Sequence, residues 1–136
     1  LSSISQGLVT HDDPVLDLKS AFDAVCDEIG ADLYFNYLID PASPDRLLLQ
    51  THRGLSQAQQ TNFSALRVGE YLCGEIAQRK SSIILANVDH DDSERTRQVR
   101  DLGGKCYAGF PLVSRGRLHG TVAFVSRAKG AFTDDS

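Results

Sequence analysis

Methionine and tryptophan are both absent from this 136-residue chain, and cysteine occurs only three times. No apolar stretch approaches the ~18 residues that a membrane-spanning helix requires. Lys and Arg number 14 against 18 Asp and Glu, a formal net charge of -4, and they form no basic run. Nucleic acid and anionic membrane are thereby excluded as main partners. The N-terminus lacks the charged, apolar and small-residue succession of a secretory signal, so the expected location is the cytoplasm. Cys26, Cys73 and Cys106 are odd in number and widely spaced, with no C-x-x-C pair and no histidine at zinc spacing. They read as reduced thiols. No G-x-S-x-G, P-loop, H-E-x-x-H or Rossmann fingerprint occurs. With leucine first and no methionine, the sequence reads as a piece of a longer chain.

What remains is a chain of one-domain size with 41% hydrophobic residues, enough to close a core. Residues 1–12 read as a lead-in or linker and 13–136 as a single domain. Its centre is Lys105 to Ser126, two apolar runs joined at Arg115-Gly116, which has the chemistry of a tight hairpin turn. Pairing Ser114 with Arg117 sets Phe110 opposite Thr121, Ala108 opposite Ala123 and Cys106 opposite Val125 on one face. Tyr107 with Phe124, Gly109 with Val122 and Val113 with Leu118 then form the other. Both faces are apolar, so both need cover. The bulkier face suits a helix, and the small-residue face is the expected floor of a cavity.

Asp13-Pro14 starts a helix whose stripe is Leu18, Phe22, Val25, Cys26 and Ile29, ended by Gly30. Alternation over Leu33 to Ile39 and a return over Arg46 to Thr51 predict a hairpin with a five-residue loop, Pro41 to Asp45. Ser56 to Leu66 predicts a surface helix, Tyr71 to Arg79 a short helix, and Ser82 to Val88 a strand. The charged run Asp89 to Arg100 predicts a short solvated helix, capped by Asp92 or Ser93 and stopped at Gly103-Gly104. Ala131 to Ser136 reads as the entry to a closing helix cut short. The predicted fold class is α+β, a central antiparallel sheet of five to six strands with helices on both faces.

Motifs in this order resemble those of GAF domains, sensor modules of signalling proteins. Val68-Gly69-Glu70 through Leu72-Cys73-Gly74-Glu75-Ile76-Ala77 is similar to the family's glycine and helix, and Ser82 to Val88 to its following strand, with Asn87 where aspartate is common. Tyr107 to Val113, Gly116, Leu118 to Phe124 and Ala131 to Asp135 resemble its last strands and closing helix. The resemblance implies a regulatory module of a bacterial signalling protein such as a histidine kinase or a cyclic-dinucleotide enzyme, coupled to an output domain and dimerising through terminal helices. It places a cavity for an unidentified small molecule under segments 56–79 and 89–102.

The candidate pocket residues are Tyr71, Cys73, His90, Cys106, Phe110 and Thr121, for each of which ordinary packing or solvation is the plainer reading. One GAF-like family reduces free methionine sulfoxide with cysteines, and Cys73-Gly74 resembles one of its motifs, but Ser82 to Gly104 contains no cysteine. A ligand-free dimerisation module is the remaining alternative. No covalent bilin is expected, since neither Cys73 nor Cys106 is followed by histidine. The cyclic-nucleotide pattern is matched only in part by Arg127-Ala128, Phe132 and Asp134-Asp135. His90 and His119 stand without a closed set of metal ligands.

Overall fold

A computed structural model describes residues 14–132. The expected helix cap at Asp13 and the acidic helix start at Thr133 to Ser136 lie outside the described residues. Helix α1 (Pro14–Ile29) follows from its apolar stripe: Leu18, Phe22 and Cys26 are buried. Gly30, at φ +74°, ends it, and the Ala31 amide closes the last turn on the Cys26 carbonyl at 2.9 Å. Strands β1 (Leu33–Asp40) and β2 (Ser43–Arg53) come next, then helix α2 (Gln57–Asn62) and strand β3 (Ala65–Arg67). Helix α3 (Tyr71–Arg79), strand β4 (Ile83–Leu85), two single-turn 3-10 segments (Val88–His90 and Glu94–Thr96) and helix α4 (Arg97–Asp101) precede the hairpin β5 (Cys106–Ser114) and β6 (Arg117–Ser126).

The six strands form one sheet in the order β3-β2-β1-β6-β5-β4, with every neighbouring pair antiparallel. On one face α1 packs Leu18, Phe22 and Cys26 against Tyr34, Leu112, Val122 and Phe124. On the other, α3 and α4 bring Leu72, Cys73, Ile76, Val99 and Leu102 onto Leu33, Phe35, Tyr37, Tyr107, Ala123 and Val125. The architecture is therefore the α+β sheet covered on both faces that the patterning predicts. Among the described residues no helix is long and apolar enough to cross a membrane.

Three local expectations give way to tertiary structure. The stretch Ser56 to Leu66 is helical only as far as Asn62, held by a capping box between Ser56 and Gln59. Beyond it the chain extends as β3, because pairing with β2 sets Leu66 opposite Leu47 and buries both, while the helix itself buries nothing. The first hairpin is tighter than its five-residue loop predicts: Ser43 pairs with Asp40, and Pro44 lies in β2 where no β3 residue needs its missing N–H.

The third correction bears on the site. Ser114 pairs with Arg117 across a turn in which Arg115 and Gly116 adopt φ of 55° and 75°, as expected of a primed hairpin turn. One pair later Val113 faces Leu118 and Leu112 faces Gly120, so His119 is an extra residue in β6, a β-bulge. Every pair beyond it is displaced by one: Phe110 faces Val122, Ala108 faces Phe124 and Cys106 faces Ser126. A one-residue slip exchanges the two faces of a strand. The small-residue floor of Cys106, Ala108 and Phe110 with Thr121, Ala123 and Val125 therefore does not exist as one surface.

Candidate functional site

The face covered by α3 and α4 carries a polar set inside an otherwise apolar core. Tyr37 on β1 and Thr121 on β6 are cross-strand partners, so their side chains stand side by side. The Tyr37 hydroxyl donates to the Phe63 carbonyl at 2.6 Å, and the Gln98 amide of α4 donates back to it at 2.9 Å. The Cys73 sulfur of α3 lies 3.3 Å from the Tyr107 hydroxyl of β5. All five side chains are buried. Two of their atoms have no hydrogen-bond partner: the Gln98 side-chain oxygen and the Thr121 hydroxyl. Buried polar atoms are paired in the great majority of folded structures, so two orphans around Tyr37 mark this cluster; a second neighbouring pair, the Asn36 side-chain oxygen and the Thr51 hydroxyl, lies on the α1 face.

Burial fixes the charge state of this set. It pushes the Cys73 thiol up to about 12, although hydrogen bonding to Tyr107 works in the opposite direction. Burial likewise raises the Tyr107 and Tyr37 phenols above the ordinary tyrosine range. All five groups are uncharged near neutral pH. The arrangement offers donors and acceptors without a charge.

The segment 89–102 that supplies Gln98 is tied down by arginines. Arg95 donates two hydrogen bonds of 2.9 Å to the Glu75 carboxylate of α3, the fork geometry that suits a guanidinium. Arg79 adds a third from the same helix. The Arg95 hydrogen bonds are the first cause holding the Glu75 carboxyl below the ordinary glutamate range. Inside the segment Arg100 reaches the Ser93 carbonyl at 2.6 Å. At its far end Arg127 donates to the Leu102 carbonyl at 2.8 Å, joining the cover to the residue that follows β6.

Of the residues singled out from sequence, Cys73 and Thr121 belong to this cluster, and Tyr71 stands beside it. Tyr71 takes φ +57°, uncommon for a bulky residue, and its ring meets Phe63 edge to face with centroids 6.4 Å apart. The bulge sends Cys106 and Phe110 to the α1 face, where Phe110 packs with Phe124 at 6.3 Å. His90 is exposed on its 3-10 turn, 3.7 Å from Asp89. Tyr37, Gln98 and Tyr107 were not singled out. Tyr107 falls on the expected helix side until the bulge is known, and nothing in DHDDSERTRQVR marks Gln98 as the residue that turns inward. Among the described residues no group of three or more His, Cys, Asp and Glu side chains comes together to hold a metal ion.

A sequence-family model described as a GAF domain matches residues 16–136. The chain belongs to the GAF family. The GAF domain of a phosphoenolpyruvate-protein phosphotransferase from Coxiella burnetii is similar, at 22% identity and a TM-score of 0.74, over 98% of this chain and 79% of that one. A free methionine-R-sulfoxide reductase from Neisseria meningitidis, solved with its substrate, is 20% identical with a TM-score of 0.75, over 98% and 74%. A Staphylococcus aureus NreA protein mutated in its nitrate-binding site is 17% identical with a TM-score of 0.70, over 87% and 90%. At these identities the likeness is one of fold. No curated protein matches the chain.

The GAF motifs acquire physical reasons here. A side chain in place of Gly74 would come within 2.5 Å of the Arg67 carbonyl, so its missing Cβ lets α3 press onto the turn before it. Asn87 sits in the left-handed region at φ 52°, which asparagine tolerates, and its amide donates to the Gly130 carbonyl at 2.8 Å.

Proposed function

We propose that this GAF domain is a non-catalytic regulatory module of a larger signalling protein that binds a small uncharged molecule against Gln98 and Thr121. The observation that carries this reading is the pair of orphaned polar atoms in a buried cluster with no charged member. A ligand that donates to the Gln98 oxygen and exchanges a hydrogen bond with Thr121 satisfies both. An ionic ligand buried at the same place would lack a counter-charge, a cost of several kcal/mol in general. Glu75 and Arg95, whose charges act near Tyr107, are already paired with each other.

Binding regulates an attached output domain by favouring one packing of the cover over another, which requires a difference in ligand affinity between the two. Gln98 lies on the cover itself, so ligand contact is made by the element that moves. Arg127 then carries a displacement of Leu102 to the chain leaving β6.

The thiols support a binding role rather than reduction of methionine sulfoxide. A nucleophilic cysteine acts as its thiolate, and Cys73 is held protonated by burial. Strand alternation puts Cys106 on the opposite face of the sheet from Tyr107, and hence from Cys73, so it is not positioned as a resolving thiol. Gly74, which completes the resemblance to a reductase motif, has a packing role.

Native mass spectrometry of the purified domain beside its denatured mass tests the reading. An added mass of a neutral compound, lost on denaturation and absent from a Gln98→Ala, Thr121→Val double variant, is expected. A bare mass for the native protein, or an adduct that survives both substitutions, would overturn it.

A further inference from the structure

The outer edge of the sheet carries an opening of a different chemistry. β3 pairs with β2 so that Arg46 stands directly opposite Arg67, one residue along from the Leu47 and Leu66 pair. Both leucines are buried in the core under α3, so alternation turns both arginines to the other face of the sheet. At this edge Arg46 and Arg67 line an open cleft of about 370 Å3 together with Ala65, Leu66 and Glu70.

Like charges directly opposite one another destabilise a strand pair, so a bare arginine pair is a cost that calls for an anion. Among the described residues neither guanidinium makes a salt bridge, whereas Arg53, Arg79, Arg95 and Arg97 all do. The Asp45 carboxylate, held below the ordinary aspartate range first by its hydrogen bond from Ser43, feels both arginine charges but reaches neither guanidinium. Glu70 accepts from the Arg67 backbone amide at 2.9 Å, and Asp45 accepts from the Ser43 hydroxyl at 2.7 Å. The Glu70 amide also donates to the Arg67 carbonyl at 2.9 Å, so the outward backbone groups of Arg67 are both used within the turn. That turn blunts the β3 edge against a further strand. What the edge still offers, among the described residues, is two guanidinium forks without a partner.

We propose that Arg46 and Arg67 form an anion site that holds the phosphoryl group of a small organic phosphate, whose body rests on Ala65. Cross-strand Cβ atoms stand about 5 Å apart, so one tetrahedral oxyanion can meet both forks, each guanidinium donating two parallel hydrogen bonds. A dianion also balances the two positive charges. Glu70 closes the third side with a negative charge and repels a second anionic group on the same ligand. This site lies at the β3 edge of the sheet, apart from the Gln98 and Thr121 cluster on α4 and β6.

The test is an NMR titration of the domain with phenyl phosphate, inorganic phosphate, acetate and chloride at matched ionic strength, following the Arg46 and Arg67 side-chain Nε–H signals. Saturable shifts with phenyl phosphate are expected, weakened about tenfold or more in Arg46→Gln and in Arg67→Gln. Both variants must keep the hairpin amide shifts of β5 and β6, which report an intact fold. Shifts equal to those from chloride would mean simple screening and overturn the site, as would binding that survives both substitutions. Acetate binding as tightly as phosphate would overturn the phosphoryl class, and binding of inorganic phosphate alone would overturn the organic body.

Discussion

The two faces of the sheet are built from alternate residues of the same strands, and they differ in what they pack. Under α1, Phe22, Tyr34, Phe110 and Phe124 form a dry aromatic mesh with ring centroids 5.6 to 6.4 Å apart. Under α3 and α4, the same three strands β1, β5 and β6 present Tyr37, Tyr107 and Thr121 to Cys73 and Gln98, with two polar atoms unpaired. Along β6 alone, Val122 and Phe124 face one way and Thr121, Ala123 and Val125 the other. Unpaired polar atoms occur under α1 as well, on the cross-strand partners Asn36 and Thr51; what sets the other face apart is that its unpaired atoms lie on both sides of one cluster, Gln98 on the cover and Thr121 on the sheet, around Tyr37. The contrast is quantitative and can be broken by substitution.

The largest effect is expected on the dry face. Phe22 is fully buried and touches two aromatic rings, so Phe22→Ala should cost about 3 to 5 kcal/mol of unfolding free energy through lost burial and an unfilled cavity. Urea denaturation with an unchanged m-value measures it. The same experiment on the polar face should reverse the sign. Thr121→Val keeps the side-chain shape and removes a buried hydroxyl without a partner, so stability should rise by about 1 kcal/mol while ligand binding is lost. A comparable loss in both variants would mean that Thr121 is satisfied in the folded protein, and the distinction between the faces would fail.

Much of this arrangement is legible in the sequence because local signals and tertiary packing agree there. Leu18, Phe22 and Cys26 at helical spacing, Gly30 after them and the Arg115-Gly116 turn all specify what forms. The sheet faces are not legible in the sequence because a single residue decides them. His119 is an ordinary strand residue by composition, and nothing local marks it as the extra one in β6; the bulge depends on pairing with β1 and β5 together. That one residue moved Cys106 and Phe110 away from Cys73 and Thr121. Strand β3 was hidden for a similar reason, since three residues carry little periodicity and their extended form rests on Leu47 across the ladder. Gln98 was hidden by its company, because a charged run reads as solvated until the fold shows which residue turns inward.

The smallest effect is expected at the rim, where the polar face meets solvent. The Glu75 carboxylate joins α3 to the cover through Arg95, and these hydrogen bonds depress its folded-state pKa. A carboxylate depressed in the folded state adds stability that is fully present above its unfolded value, near 4.5, and is lost as pH falls through the lower folded value. Acid should therefore loosen the cover before it disturbs the sheet. Glu75→Gln removes the charge at every pH and should speed amide hydrogen exchange over Thr96 to Leu102 by roughly threefold at neutral pH. An ion pair reached by solvent is worth no more than that. The wild type should approach the variant as pH drops below the glutamate range, once both are corrected for intrinsic exchange. Arg79→Ala should change little, because its side chain is 60% exposed and Arg95 remains on Glu75. Equal acceleration across the amides of β5 and β6 would show that the carboxylate supports the whole fold, and the cover would lose its standing as a separately movable part.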